Sequence, residues 1–210
     1  MVLLIVMGMM ASCNESKKHS QNKLPYYGPF ELLKNTSGGS DTIWYTVPKF
    51  SFINQDKKEV SNHHTDGKIM VVEFFFTTCP SICPMITSQL SRLQVLMATE
   101  GLSDKVTILS HTVDPSTDTP DVMKAYANAL GADDKNWHFL TGRAEDLYYH
   151  AAKGYMVPAF PSDTAAGGFF HTDQLTLVDG ERHIRGYYDG TSTSEVDSLY
   201  NDIKKLLNEH

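Results

Sequence analysis

The chain has 210 residues, 41% hydrophobic and 20% charged, with 18 Lys and Arg against 25 Asp and Glu and a formal net charge of -7. Such a composition belongs to an ordinary globular protein, and three cysteines are too few for a disulfide scaffold. The acidic balance offers no basic stripe to follow a phosphate backbone, so nucleic acid is not an expected partner, and a core burying roughly 70% of the unfolded surface needs no structural metal.

Val2 to Ala11 is an uninterrupted apolar or glycine run, too short for the roughly 20 residues of a membrane-spanning helix. It reads as the core of a signal peptide. Met10-Ala11-Ser12-Cys13, with small residues directly before a cysteine, resembles the lipobox of bacterial lipoproteins. That resemblance implies a signal peptide over residues 1–12, a lipid anchor on Cys13, and a place on the extracytoplasmic, periplasmic face of a bacterial membrane. Residues 13–41 are mostly polar and read as a membrane tether, with one short ordered patch, LPYYGPFELL, whose Pro and Gly argue against a helix. The domain proper is expected over 42–210.

From Thr42 strand-like and helix-like patterns alternate. Trp44 to Ile53 alternates as an edge hairpin would, and Lys68 to Phe76 is a nearly continuous apolar run suited to a buried central strand. Ile86, Leu90, Leu93 and Met97 mark one face of a helix from Pro84 to about residue 98. A strand over 106–113 follows. Thr119-Pro120 caps a helix that Gly131 stops, and Trp137 to Leu140 returns to strand. Residues 143–153 form a short helix closed by Gly154. A hairpin turns at Asp179-Gly180, and Ser192 with Glu195 opens a last helix whose buried stripe is Val196, Leu199, Ile203 and Leu206. This order suits an α/β fold with a thioredoxin-like mixed sheet flanked by helices, an N-terminal edge hairpin and a C-terminal hairpin plus helix.

The stretch that carries chemistry is Thr77-Thr78-Cys79-Pro80-Ser81-Ile82-Cys83-Pro84, between the apolar strand and the first long helix. Proline is tolerated only in a helix's first turn, so the helix is expected to start at Pro84 with Cys83 as its cap. Both thiols then sit at a helix N-terminus, where unpaired N–H groups stabilise anions, and both are expected to titrate below the free thiol. Two such thiols can close a disulfide, exchange with another, or chelate a soft metal. A closed zinc site wants four ligands, whereas Cu(I) is content with fewer and softer ones.

More of the chain agrees with one family. Thr-Thr-Cys-Pro-Ser-Ile-Cys-Pro resembles the Cys-x-x-x-Cys-Pro signature of the Sco/SenC copper-binding assembly factors. The segment Val113 to Pro120 is similar to that family's Asp-Pro-x-x-Asp-Thr-Pro, and His171-Thr172 with Gly186 to Gly190 resembles its C-terminal histidine region. The resemblance implies copper bound through Cys79, Cys83 and His171, and help in metallating subunit II of cytochrome c oxidase. His171 rests on that resemblance; His63-His64, in a polar turn, is the rival pair, and Gly167-Gly168 before His171 reads as a flexible stretch. Asp118 suits either a supporting acceptor near the site or a turn cap.

Two other functions use the same cysteines. A membrane-anchored thiol-disulfide oxidoreductase would act on a partner's cysteines, although such reductases generally carry Cys-x-x-Cys. A peroxiredoxin-like peroxidase would attack through Cys79, but the supporting upstream proline is missing.

Overall fold

The computed structural model describes residues 23–36 and 38–209. The apolar run and Cys13 lie outside them. The first element is a hairpin of β1 (Phe30–Lys34) and β2 (Ser40–Trp44), which forms a sheet of its own. It occupies part of the segment read as tether, so folded structure begins before residue 42. Next come β3 (Ser51–Asn54), β4 (Glu59–Ser61) and the one-turn helix α1 (Asn62–Thr65). The edge hairpin is thus β3 with β4, later than the alternation from Trp44 suggests, and Pro48 falls in the extended link before it.

The central strand β5 (Ile69–Phe75) is buried at all seven positions, as its apolar run requires. Helix α2 (Cys83–Thr99) leads from it to β6 (Val106–Thr112), and α3 (Pro120–Leu130) leads on to β7 (Trp137–Thr141). β5, β6 and β7 pair in parallel. Both crossovers step in one direction, so the right-handed rule places α2 and α3 on the same face. There Phe75 of β5 meets Tyr126 of α3 and Phe139 of β7 at ring distances of 5.7 and 5.3 Å. α3 keeps its expected ends: the Thr119 side chain caps Val122 N–H, and Gly131 takes the left-handed conformation at φ 67°.

Beyond β7, α4 (Ala144–Tyr149) runs into a π-helical turn over His150–Gly154. A ribbon of β8 (Phe160–Pro161) and β9 (Phe169–Phe170) then precedes β10 (Gln174–Val178), β11 (Ile184–Asp189) and α5 (Thr193–Leu207). The last helix has the expected cap, Ser192 Oγ accepting from Glu195 N–H, and buries Val196, Leu199, Ile203 and Leu206. β10 pairs antiparallel with β5, giving a seven-stranded mixed sheet in the order β11-β10-β5-β6-β7-β3-β4. The sheet's second face packs Phe74 and His111 against Phe50, Phe52, His150 and Tyr155. No helix among the described residues is long and apolar enough to cross a membrane.

The end of the sheet where β5 begins is tied by one buried cation. Arg185 donates to the Asp179 carboxylate at 2.9 Å, to Glu209 at 3.0 Å and to the carbonyls of Leu24 and Pro25 at 2.7 and 3.1 Å. It therefore joins the β10–β11 turn to both ends of the folded chain. Arg185→Ala should lower unfolding free energy by about 3 kcal/mol, because Asp179 is left buried without its counter-ion. Urea denaturation reads this directly, and a loss below about 1 kcal/mol would show the network to be dispensable.

Candidate metal centre

The metal end of the molecule forms where β5 stops. Cys79 and Cys83 follow its C-terminus, and the β8–β9 ribbon delivers His171 to the same place. Both cysteines are free and buried. His171 Nε2 lies 3.5 Å from Cys83 Sγ and 3.9 Å from Cys79 Sγ, and the three donor atoms all fall within 4.8 Å of one another. Donors this close can meet on one ion after a small contraction, since thiolate sulfur bonds a metal such as zinc at about 2.3 Å and imidazole nitrogen at about 2.0 to 2.1 Å.

Local contacts fix the ring. Nδ1–H donates to the Thr172 carbonyl at 3.0 Å, which leaves Nε2 as the acceptor facing the sulfurs. Phe76 stands edge-on to the imidazole at 5.6 Å and packs against Phe169 at 5.5 Å. Gly167, read as flexible, has a different role: at φ 77° it turns the ribbon in a left-handed conformation, and a Cβ there would lie 2.7 Å from the Phe76 ring.

The two thiols are not equivalent. The helix starts one residue earlier than proline chemistry suggests, with Cys83 in its first turn and Pro84 next, where no intrahelical N–H bond is lost. Burial pushes the Cys79 thiol up, but hydrogen bonds from the Ser81 and Cys83 backbone N–H groups, together with its side-chain contacts to His171 and Cys83, outweigh it and hold Cys79 at about 6. Cys83 goes the other way, pushed up by burial, with the charges of Cys79 and Glu73 adding to it. The expectation that both thiols titrate below the free value therefore fails for Cys83. The N–H groups of Ser81 and Cys83, at the turn into the helix, aim at Cys79, while Cys83 is the more deeply buried of the two thiols.

Asp118 does not touch the three donors. It is fully buried, and accepts from the Thr77 N–H at 3.2 Å, the Thr77 hydroxyl and the Thr112 hydroxyl, binding the cysteine turn to the end of β6. Burial raises its carboxyl, opposed by those same hydrogen bonds. No motif marks Glu73, in β5. Burial lifts it to about 7 while Ser110 donates to it, and the signal that marks it is a lone acid inside an otherwise apolar run. The rival pair His63-His64 sits on α1, just before β5 begins and so at the other end of the sheet, where Ser61 N–H donates to His64 Nδ1 at 3.1 Å. Cys13 is outside the described residues.

A family model described as SCO1/SenC matches residues 42–208. The chain belongs to the SCO1/SenC family. Its structure is similar to that of a SCO1/SenC family lipoprotein from Bacillus anthracis, 29% identical, with a TM-score of 0.72 over 78% of this chain and 95% of the other. It is also similar to BsSco, a member of the Sco family of cytochrome c oxidase assembly proteins in which a disulfide switch was identified, at 29% identity and a TM-score of 0.69 over 77% of this chain and 93% of that one. Yeast Sco1 with copper bound aligns at 26% identity with a TM-score of 0.59, covering 76% of this chain and 88% of that one. The sheet and helices are those of the thioredoxin-like Sco structures.

The split between the thiols is measurable in the metal-free protein. Alkylation of Cys79 by iodoacetamide should rise with pH through a midpoint near 6 and be complete at neutral pH, with Cys83 unmodified under the same conditions. Peptide mass spectrometry assigns the sites. Equal labelling of both cysteines at pH 7 would overturn the assignment.

Proposed function

We propose that this protein is a copper metallochaperone of the extracytoplasmic membrane surface, holding copper between Cys79, Cys83 and His171 and passing it to an acceptor such as subunit II of cytochrome c oxidase. The observation that carries this reading is the convergence of two free thiols and one acceptor-oriented imidazole nitrogen within 4.8 Å. The donor chemistry supports copper over zinc: two thiolates and one imidazole satisfy low-coordinate Cu(I), whereas structural zinc takes a fourth ligand. Copper bound to yeast Sco1 and the oxidase-assembly role of the Sco family in which BsSco is placed support the same cargo and destination.

The unequal thiols give loading an order. Cys79 is ionised near neutral pH and takes the ion first; Cys83 then gives up its proton as its sulfur closes on the metal, and His171 Nε2 adds the third donor. Asp118 is a positioning residue, since it holds Thr77 two residues before the first ligand. Loading at pH 7 should therefore release about one proton per copper rather than two. Calorimetry in buffers of different ionisation enthalpy reads the number, and release of two protons would remove the thiol asymmetry from the mechanism.

A thiol-disulfide exchange role is the second reading, favoured by a low-pKa Cys79 beside a buried Cys83 that can act as resolving thiol. Anaerobic copper titration separates the two. One copper per chain that binds only when the thiols are reduced, and is lost in Cys79→Ser and Cys83→Ser variants that remain folded, supports delivery. Undiminished tight Cu(I) binding in either variant would refute it. His171→Ala should weaken Cu(II) at least about tenfold more than Cu(I), because Cu(II) depends on the nitrogen donor while Cu(I) is satisfied by sulfur. Equal losses for both ions would remove His171 from the ligand set.

The membrane reading rests on the lipobox-like segment ending at Cys13, and the lipoprotein from Bacillus anthracis supports it. Mass spectrometry of the mature protein should find Cys13 as a lipid-modified N-terminus. A mature chain starting elsewhere, or one without added lipid mass, would contradict it.

A further inference from the structure

The β1–β2 hairpin stands apart from the central sheet. It makes no ladder with the central sheet, and most of it precedes residue 42, where the family match begins. Four large apolar side chains stand out on it: Phe30 is 56% exposed, Leu32 61%, Leu33 50% and Ile43 48%. They divide between the ribbon's two faces, Phe30 and Leu32 on one and Leu33 and Ile43 on the other, and exposed apolar side chains of this size mark a contact surface.

The ladder register sorts the ribbon's faces by charge. Alternate residues of a strand share a face, and so do residues paired directly across it. Phe30 pairs with Trp44, Leu32 with Thr42 and Lys34 with Ser40, so this face carries aromatic and leucine side chains, one lysine and no acid. Glu31 pairs with Ile43 and Leu33 with Asp41, so both carboxylates of the ribbon lie on the other face.

The root of the ribbon is far from the metal centre. Tyr27 bridges to Ile184, which pairs with Val178, which pairs with Met70 near the start of β5. The cysteine turn follows the far end of that strand, about 20 Å away at strand rise. The chain enters the fold at the same root, where Arg185 holds the Leu24 and Pro25 carbonyls and Tyr26 stacks on Trp44 at 4.8 Å.

We propose that the face of the hairpin carrying Phe30, Leu32 and Lys34 rests on an anionic phospholipid bilayer and holds the domain with its metal centre turned away from the membrane. This rests on the reading of Cys13 as a lipid anchor. The ten residues from Cys13 to Lys23 reach at most about 35 Å, so an anchored chain keeps the ribbon within that distance of the lipid surface. Aromatic and leucine side chains beside a lysine match the interfacial zone of a bilayer, and the segregated carboxylates stay in water. A protein that comes for the metal meets the opposite end of the sheet.

The chain's own fluorescence tests this. Trp44 and Trp137 are its two tryptophans, and Trp137 is fully buried, so bromine-labelled lipid reads Trp44. The full-length lipidated protein in phosphatidylcholine–phosphatidylglycerol vesicles should show Trp44 emission quenched by brominated acyl chains. Leu32→Glu should reduce that quenching at least about threefold, whereas Leu33→Glu on the opposite face should leave it unchanged. Both positions are exposed, and copper stoichiometry of each variant verifies its fold. Mass spectrometry of the same sample reads the Cys13 lipid independently. Lipid present with Trp44 unquenched overturns the hairpin contact alone, and absent lipid with no vesicle binding overturns the anchor as well. Equal loss in the two variants overturns the choice of face. Protection of Trp44 that appears only in native membranes assigns the ribbon to a protein partner and overturns the proposal.

Discussion

A single buried carboxylate governs the metal end of this molecule. Asp118 comes from the loop after β6, yet its acceptors are filled by Thr77 on the cysteine turn and Thr112 at the end of β6. A carboxylate without water needs several donors to remain ionised, and a turn with free N–H groups needs acceptors. Each requirement answers the other, so the turn is held against the sheet before any metal arrives. The donor triangle is built on this turn, since Thr77 lies two residues before Cys79.

The held turn also explains why two cysteines four residues apart differ so much. Their backbone segment is shared, but the sulfurs face different surroundings. Cys79 receives N–H groups from Ser81 and Cys83 at the start of α2, while Cys83 sits over the core near Glu73. The result is one ready thiolate and one reserve thiol that ionises as metal binds. In a chaperone this serves both duties: the easier thiolate captures the ion, and protonation of the harder one assists release.

The third donor arrives by another route. His171 lies on a short ribbon outside the central sheet, seated by Phe76 against Phe169 and by the close approach of Gly167 to the Phe76 ring. Phe76 is itself the residue after β5, so the element that carries the cysteine turn also positions the histidine. At the opposite end of the sheet Arg185 gathers the backbone at Leu24 and Pro25, the Glu209 carboxylate and the β10–β11 turn, well away from the donor triangle.

The sequence alone determined the elements whose physics is local. Thr119 and Gly131 bound α3, Ser192 with Glu195 opens α5, and the apolar run around β5 has too little polarity to lie anywhere but the centre of a sheet. It also determined the cysteine pair, since only a first-turn proline and a strand-to-helix junction are needed to read it. Tertiary structure decided the rest. Nothing local distinguishes His171 from eight other histidines, because its partner atoms are 88 and 92 residues away. Nothing local orders the thiols either: burial and the aim of N–H groups are properties of packing, and sequence periodicity is silent on both. The helix start moved by one residue, and a tether acquired a hairpin, for a common reason: backbone ends and short ribbons are settled by what they pack against, a contribution larger than any propensity written in their own few residues.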